Sequence, residues 1–152
     1  MPDLPAAHKL RVGRYTEVSR IYLLTSTTYQ RRPIFTNFAL GKLVADQFRH
    51  AQDSGLVSSL AWVVMPDHFH WLIELRRGSL SEVMQKTKSL STKAVRQASG
   101  GNSVLWQRGF HDRALRREED LLKMARYVVA NPLRAGLVEK LGDYPLWDAI
   151  WV

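Results

Sequence analysis

The chain has no cysteine, which excludes a disulfide framework, a zinc–cysteine cluster and a thiol nucleophile and is consistent with a reducing compartment. No apolar stretch approaches the roughly 20 residues of a membrane span, and Met1 to Pro5 lack a signal-peptide core. A cytoplasmic protein is therefore expected. Internal repeats and low-complexity tracts are missing too, and the glycine pair Gly100-Gly101 is too short a break to link two domains. At 152 residues there is enough chain for one core and too little for two. A single domain spanning 1–152 is expected, with residues 1–14 as a mobile basic arm. Acidic residues are also scarce. Against 14 Asp and Glu stand 22 Lys and Arg, a formal net charge of +8, and such an excess draws a protein to polyanions, nucleic acid foremost.

What is present begins with two histidines separated by one apolar residue, in Met65-Pro66-Asp67-His68-Phe69-His70-Trp71-Leu72-Ile73-Glu74-Leu75. The surroundings read as a strand entered through a tight turn. Alternation then places His68 and His70 on one face and Phe69, Trp71, Ile73 and Leu75 on the other. Two imidazoles side by side make half of a metal site. Downstream, residues 118–131 read as a helix of roughly three to four turns, with Glu118, Glu119 and Asp120 crowding its start and Pro132 barring continuation. Leu121, Leu122, Ala125, Val128 and Val129 form its expected buried stripe. Lys123, Tyr127 and Asn131 follow at i, i+4 and i+8 on a neighbouring face, so Tyr127 and Asn131 can reach a common point.

These residues resemble those of HUH-type single-tyrosine transposases, specifically the REP-associated tyrosine transposase branch. Further stretches carry the resemblance nearly end to end: Gly13-Arg14-Tyr15, Val64-Met65-Pro66-Asp67, Leu105-Trp106-Gln107, Gly109-Phe110-His111-Asp112 and Asn131-Pro132-Leu133-Arg134-Ala135-Gly136-Leu137-Val138. The resemblance implies that Tyr127 is a nucleophile towards single-stranded DNA and that His68 and His70 hold a divalent metal, Mg²⁺ or Mn²⁺. It also implies a third ligand four residues after the tyrosine, where this chain has Asn131 in place of the glutamine frequent in insertion-sequence members. Imidazole donors by themselves would also accept zinc, nickel or copper. Asp67, Glu74, His111 and Asp112 are candidate supporting or supplementary ligands, and Lys123 is a candidate partner for a phenolate.

The remaining pattern gives a first strand over 20–28, then a helix with Phe38, Leu43, Val44 and Phe48 on its inner stripe. Two strands over 56–65 and 67–76 meet in a hairpin. A second helix is capped by Ser79 or Ser81, with Leu80, Val83, Met84, Leu90 and Ala94 as its apolar positions. A fourth strand over 104–115 precedes the tyrosine helix. Strand, helix, strand, strand, helix, strand is the split βαβ order. The expected fold is therefore α+β, a ferredoxin-like (RRM-like) antiparallel sheet with an added tyrosine-bearing helix. Two helices should cover one sheet face and leave the other to the histidines.

The implied reaction is transposition, in which single-stranded DNA is cut and rejoined through a 5′-phosphotyrosine. The implied substrate is an imperfect, REP-like hairpin with an unpaired guide at its foot, and the implied setting is a bacterial nucleoid. Lys9, Arg11 and Arg14 of the arm and Lys86, Lys88 and Lys93 of the second helix are the candidate phosphate contacts. A monomer is expected by likeness to the branch, although insertion-sequence members act as dimers. Two other readings share the fold: a domesticated binder without chemistry, and a metal-dependent phosphodiesterase that uses water.

Overall fold

The computed structural model describes residues 20–116 and 118–151. The expected arm, with Lys9, Arg11, Arg14 and the 13–15 motif, lies outside the described residues, as do the side chains of Glu118 and Glu119. The chain runs through β1 (Ile21–Thr27), α1 (Phe38–Asp53), β2 (Val57–Met65), β3 (His68–Leu75), α2 (Leu80–Ser99), β4 (His111–Ala114), α3 (Glu118–Val129), α4 (Asn131–Arg134) and β5 (Trp147–Ala149). Every ladder is antiparallel, and the sheet order is β4-β1-β3-β2-β5. The first four strands have the ferredoxin-like arrangement expected from the sequence. The short β5 adds an edge beside β2 that the sequence pattern did not announce.

The sheet face turned towards α1 holds the aromatic part of the core, while Val63, Leu72 and Val128 are buried on the other. Phe69, Trp71, Ile73 and Leu75 of β3 are fully buried on the α1 side. Phe48 of α1 packs its ring 4.4 Å from Trp71 and 5.0 Å from Phe69. Asn37 caps α1 by accepting from the Ala39 and Leu40 amides, and Ser79 caps α2 by accepting from Glu82. The inner seam of α2 runs through Leu80, Val83, Met84, Thr87, Ser91 and Val95, not through Leu90, which is exposed. Ser91 belongs inside because its hydroxyl accepts from the Trp106 indole at 3.0 Å, satisfying a buried donor. Gly100, at φ 74°, takes the left-handed position that closes α2.

Two expectations need correction. The fourth strand is far shorter than residues 104–115: only His111–Ala114 pairs with β1, apart from an isolated bridge between Thr28 and Trp106. Between these points the chain bows outward, and the Lys88 ammonium holds the bow by donating to the carbonyls of Gln107 and Gly109. Pro132, in turn, does not end the helical path. It is buried in the first turn of α4, where a missing amide donor costs nothing, and only Ala130 separates α3 from α4. Among the described residues no helix is long and apolar enough to cross a membrane.

Candidate active site

Register decides which side chains share the second face. Thr25 of β1 stands opposite both His70 of β3 and His111 of β4, while Thr27 stands opposite His68. Directly paired residues point the same way, so His68, His70, Thr25, Thr27 and His111 form one surface. Asp112 pairs with Leu24 and faces the helix-covered side, which removes it from the histidine surface. Glu74 shares the histidine face but sits at the far end of β3, paired with Arg76 at 3.5 Å. Neither fits the supporting role considered for it. His111 keeps to the correct face, two strands from His70.

Each histidine is oriented through its inner nitrogen. His70 Nδ1 lies 2.7 Å from the Thr25 hydroxyl, and His68 Nδ1 lies 2.7 Å from Asp67 Oδ1. With Nδ1–H donating to these oxygens, Nε2 of each ring keeps its lone pair. The rings are edge-on to each other, 5.0 Å between centroids. Asp67 also accepts from Arg31 Nε at 3.0 Å. Burial opposes the Asp67 charge, but the hydrogen bonds and charges of His68 and Arg31 outweigh it and hold the carboxyl below its usual value. Arg31 and its neighbour Gln30 both have positive φ, 53° and 55°, an unusual conformation for side chains with a Cβ. That strained turn is what presents Arg31 to Asp67. Burial, then the nearby His68 and Arg134, depress the His70 pKa to about 4, so its imidazole is neutral and a competent donor at neutral pH.

α3 packs on this face across β2 and β3, with Ala125 and Val128 as its most buried residues. Leu122, expected inside, is exposed, and Met124 takes up part of the contact instead. This rotation brings the Tyr127 ring, half exposed, within 6.2 Å of the His70 ring. Lys123 and Tyr127 both line a cleft between β4 and α3, together with Arg113 and Arg116. Asn131 follows at the start of α4, its Nδ2 buried without a hydrogen-bond partner.

The residues present fit a divalent metal. With Nδ1 protonated, each imidazole has an Nε2 lone pair for a cation, and the Asn131 side chain, whose two heavy atoms are interchangeable by rotation, has a buried end without a hydrogen-bond partner. Among the described residues no group of three or more His, Cys, Asp or Glu side chains is placed to hold a metal ion. Thr25 escaped the sequence reading, and Arg31 and Arg134 entered it without a role at the site, one as part of a basic turn and the other within the 131–138 stretch. Their signals, a threonine in β1, a basic turn and a cation seven residues after Tyr127, acquire meaning only through pairing across the sheet.

The basic residues divide. Lys88 is committed to two carbonyls, and burial pulls its ammonium below the usual lysine value. Lys86 pairs with Glu82 at 3.7 Å in an exposed contact of little strength. Lys93 is exposed and lines a groove of about 1150 Å³ between α2 and the 101–110 segment, with Lys88, Arg96 and Arg108 and without an acidic side chain. The Gln107 amide bonds the Thr27 carbonyl, so this groove ends beside the strand position facing His68.

With this geometry in view, comparison with known proteins is direct. The family model described as transposase, IS200 like, matches residues 18–131, and the chain belongs to that family. A REP-associated tyrosine transposase of Escherichia coli (strain K12) is 31% identical over 87 residues, covering 56% of this chain and 50% of that protein. A relative from Haemophilus influenzae is 29% identical over 99 residues, covering 57% of this chain and 56% of its own. The chain thus spans about half the length of the curated relatives it matches. A solved structure of a REP-associated tyrosine transposase bound to a REP hairpin superposes with a TM-score of 0.71 at 21% identity, covering 97% of this chain and 82% of that one, which establishes the shared fold.

Proposed function

We propose that this chain cleaves and rejoins single-stranded DNA through a covalent 5′-phosphotyrosine on Tyr127. The observation that carries this reading is the approach of the Tyr127 ring to His70 on a face where both histidines have their Nδ1 atoms fixed by neighbouring oxygens. Membership of a transposase family supports it. In the reaction, Tyr127 Oη bonds to the scissile phosphorus and the bond from phosphorus to the 3′ oxygen breaks. The phenol gives up its proton to solvent, and the departing oxygen takes one up to become a 3′-hydroxyl. The phosphotyrosine conserves the energy of the broken bond, so attack by another 3′-hydroxyl restores a phosphodiester without ATP. His68, His70 and the Asn131 amide would hold Mg²⁺ or Mn²⁺, which supplies polarisation of the phosphate and charge stabilisation.

The substrate in this reading is a hairpin-forming, REP-like element with unpaired nucleotides at its foot, in keeping with the name of the Escherichia coli relative and with the hairpin bound to the structural neighbour. The α2 groove, with Lys93 and Arg108, would take phosphates and lead them towards His68, while Lys88 shapes its wall. The protein would act as a monomer.

The test is incubation of the purified chain with end-labelled hairpins from the flanks of its own gene and Mn²⁺ or Mg²⁺, beside Tyr127→Phe. A denaturing gel should show a metal-dependent adduct between the protein and the 5′-phosphate end of the fragment downstream of the break, absent from the variant. Cleavage without an adduct would transfer the chemistry to water. Tight binding without cleavage would leave a DNA-binding protein that has lost its reaction.

A further inference from the structure

Arg134 sits two helical turns beyond Tyr127, and its guanidinium carbon lies 3.9 Å from the centroid of the tyrosine ring. Several local features put it there. Arginine side chains on a helix lean towards the N-terminus, and the path from α3 into α4 is close to continuous: Ala130 N–H donates to the Arg126 carbonyl and Arg134 N–H to the Ala130 carbonyl, both at 3.0 Å. Buried Pro132 anchors α4. Gly136, at φ 74°, closes it: Leu137 N–H donates to the Pro132 carbonyl and Gly136 N–H to that of Leu133, the paired bonds of a Schellman ending. Arg134 is thus held by backbone geometry beside the nucleophile.

Its charge is uncommitted. Among the described residues no carboxylate is paired with Arg134, whose side chain is exposed. Resting a guanidinium on an aromatic face uses its π surface and leaves its five N–H donors, which lie in the plane, open at the edges. The fork matches two oxygens of a phosphate, and arginine is the side chain best suited to that bidentate contact. A phosphate reached by the Tyr127 hydroxyl has to come close to this fork, because the hydroxyl is the outer tip of the ring on which the guanidinium rests.

We propose that Arg134 is a catalytic residue of this site: its guanidinium grips the non-bridging oxygens of the scissile phosphate, then those of the phosphotyrosine, while its stacking on Tyr127 keeps the phenol aimed at phosphorus. This rests on the proposed phosphotyrosine chemistry and adds a second, metal-independent source of positive charge to it. The contact strengthens as charge builds on the equatorial oxygens, so its loss should slow the chemical step more than it weakens DNA binding.

The experiment compares wild-type protein, Arg134→Gln, Arg134→Lys and Tyr127→Phe on the same hairpin, using single-turnover adduct formation with protein in excess. Hairpin affinity is measured separately by fluorescence anisotropy, with each Arg134 variant combined with Tyr127→Phe so that nothing is cleaved, and thermal melting checks the fold. Arg134→Gln should form adduct on the order of 10²-fold more slowly, the usual cost of one transition-state donor, with less than about threefold change in affinity. Arg134→Lys should recover part of the rate, since it restores charge without fork or stack. A wild-type rate in Arg134→Gln, or a rate loss no larger than its affinity loss, would overturn the proposal. If wild-type protein forms no adduct, the phosphotyrosine reading fails and this inference falls with it; if wild type forms adduct and only the Arg134 effect is missing, the fault lies here alone.

Discussion

The two faces of the sheet are built from the same strands yet obey different rules. On the helix-covered face, β3 presents Phe69, Trp71, Ile73 and Leu75, all fully buried, and their partners are chosen by volume and ring geometry. On the opposite face the intervening residues His68 and His70 are half buried, and their partners, Asp67 and Thr25, are chosen by hydrogen bonding. The first face makes the sheet rigid so that the second can keep polar groups in fixed positions at the surface. A site of this kind need not rely on its own residues for stability. Changes to His68, His70 and their hydrogen-bond partners should therefore alter reaction and leave folding, and changes to the buried rings of the other face should do the reverse.

The most severe functional break is expected from Tyr127→Phe, which removes the oxygen proposed to attack: no covalent adduct should form on denaturing gels, a loss of about 10³-fold or more, with an unchanged melting temperature because the half-exposed ring is retained. The mirror experiment on the helix-covered face is Phe48→Ala. Deleting a ring packed against Trp62, Phe69 and Trp71 should cost about 3–5 kcal/mol in denaturant unfolding, while any protein that remains folded should still form adduct.

Smaller effects sharpen the comparison. Thr25→Val and Asp67→Asn leave both imidazoles in place but loosen their orientation, and each should weaken Mn²⁺ binding by roughly 10–100-fold in a calorimetric titration. Glu74→Gln, on the same face but at the far end of β3, should leave Mn²⁺ affinity unchanged. If all three behaved alike, the orientation argument would fail.

The smallest effect concerns Tyr144, remote from the site, whose hydroxyl donates to the Val64 carbonyl at 2.7 Å. Burial raises its pKa to about 12 from an ordinary 10.0. The folded state therefore favours the protonated form, so this contribution is complete below pH 10 and is lost as pH rises towards 12. Tyr144→Phe should lower stability by about 1–2 kcal/mol near neutrality and flatten the alkaline decline between those limits, measured by urea unfolding across pH.

Much of this arrangement is legible in the residues because period-two alternation is local. His68, Phe69 and His70 announce two faces whatever the rest of the chain does, and the capping residue Ser79 fixes a helix start by a bond that spans only three residues. The errors arise where a distant partner overrides a local preference. Residues 104–110 have strand-like composition, yet the Lys88 ammonium and the Gly109 turn, φ 82°, draw them off the sheet. Leu122 has the character of a core residue, but α3 is rotated by the surface it meets, and Met124 turns inward instead. Pro132 was a stop signal by composition and became the anchor of α4 because the preceding turn left room for a residue without a donor.

By itself the sequence determined that the chain would present paired imidazoles on one face of a strand, a tyrosine and an asparagine one turn apart, and a surplus of positive charge, because spacing and composition are properties of the covalent chain. Tertiary structure alone decided that Tyr127 would meet His70, that Thr25 and Asp67 would orient the imidazoles, that Asp112 would face away and that Arg134 would lie on the tyrosine ring. Those outcomes depend on strand register and on the rotation of α3 about its axis. Both are set by how buried volumes fit together across the sheet, a sum over many weak contacts that no short stretch of sequence contains.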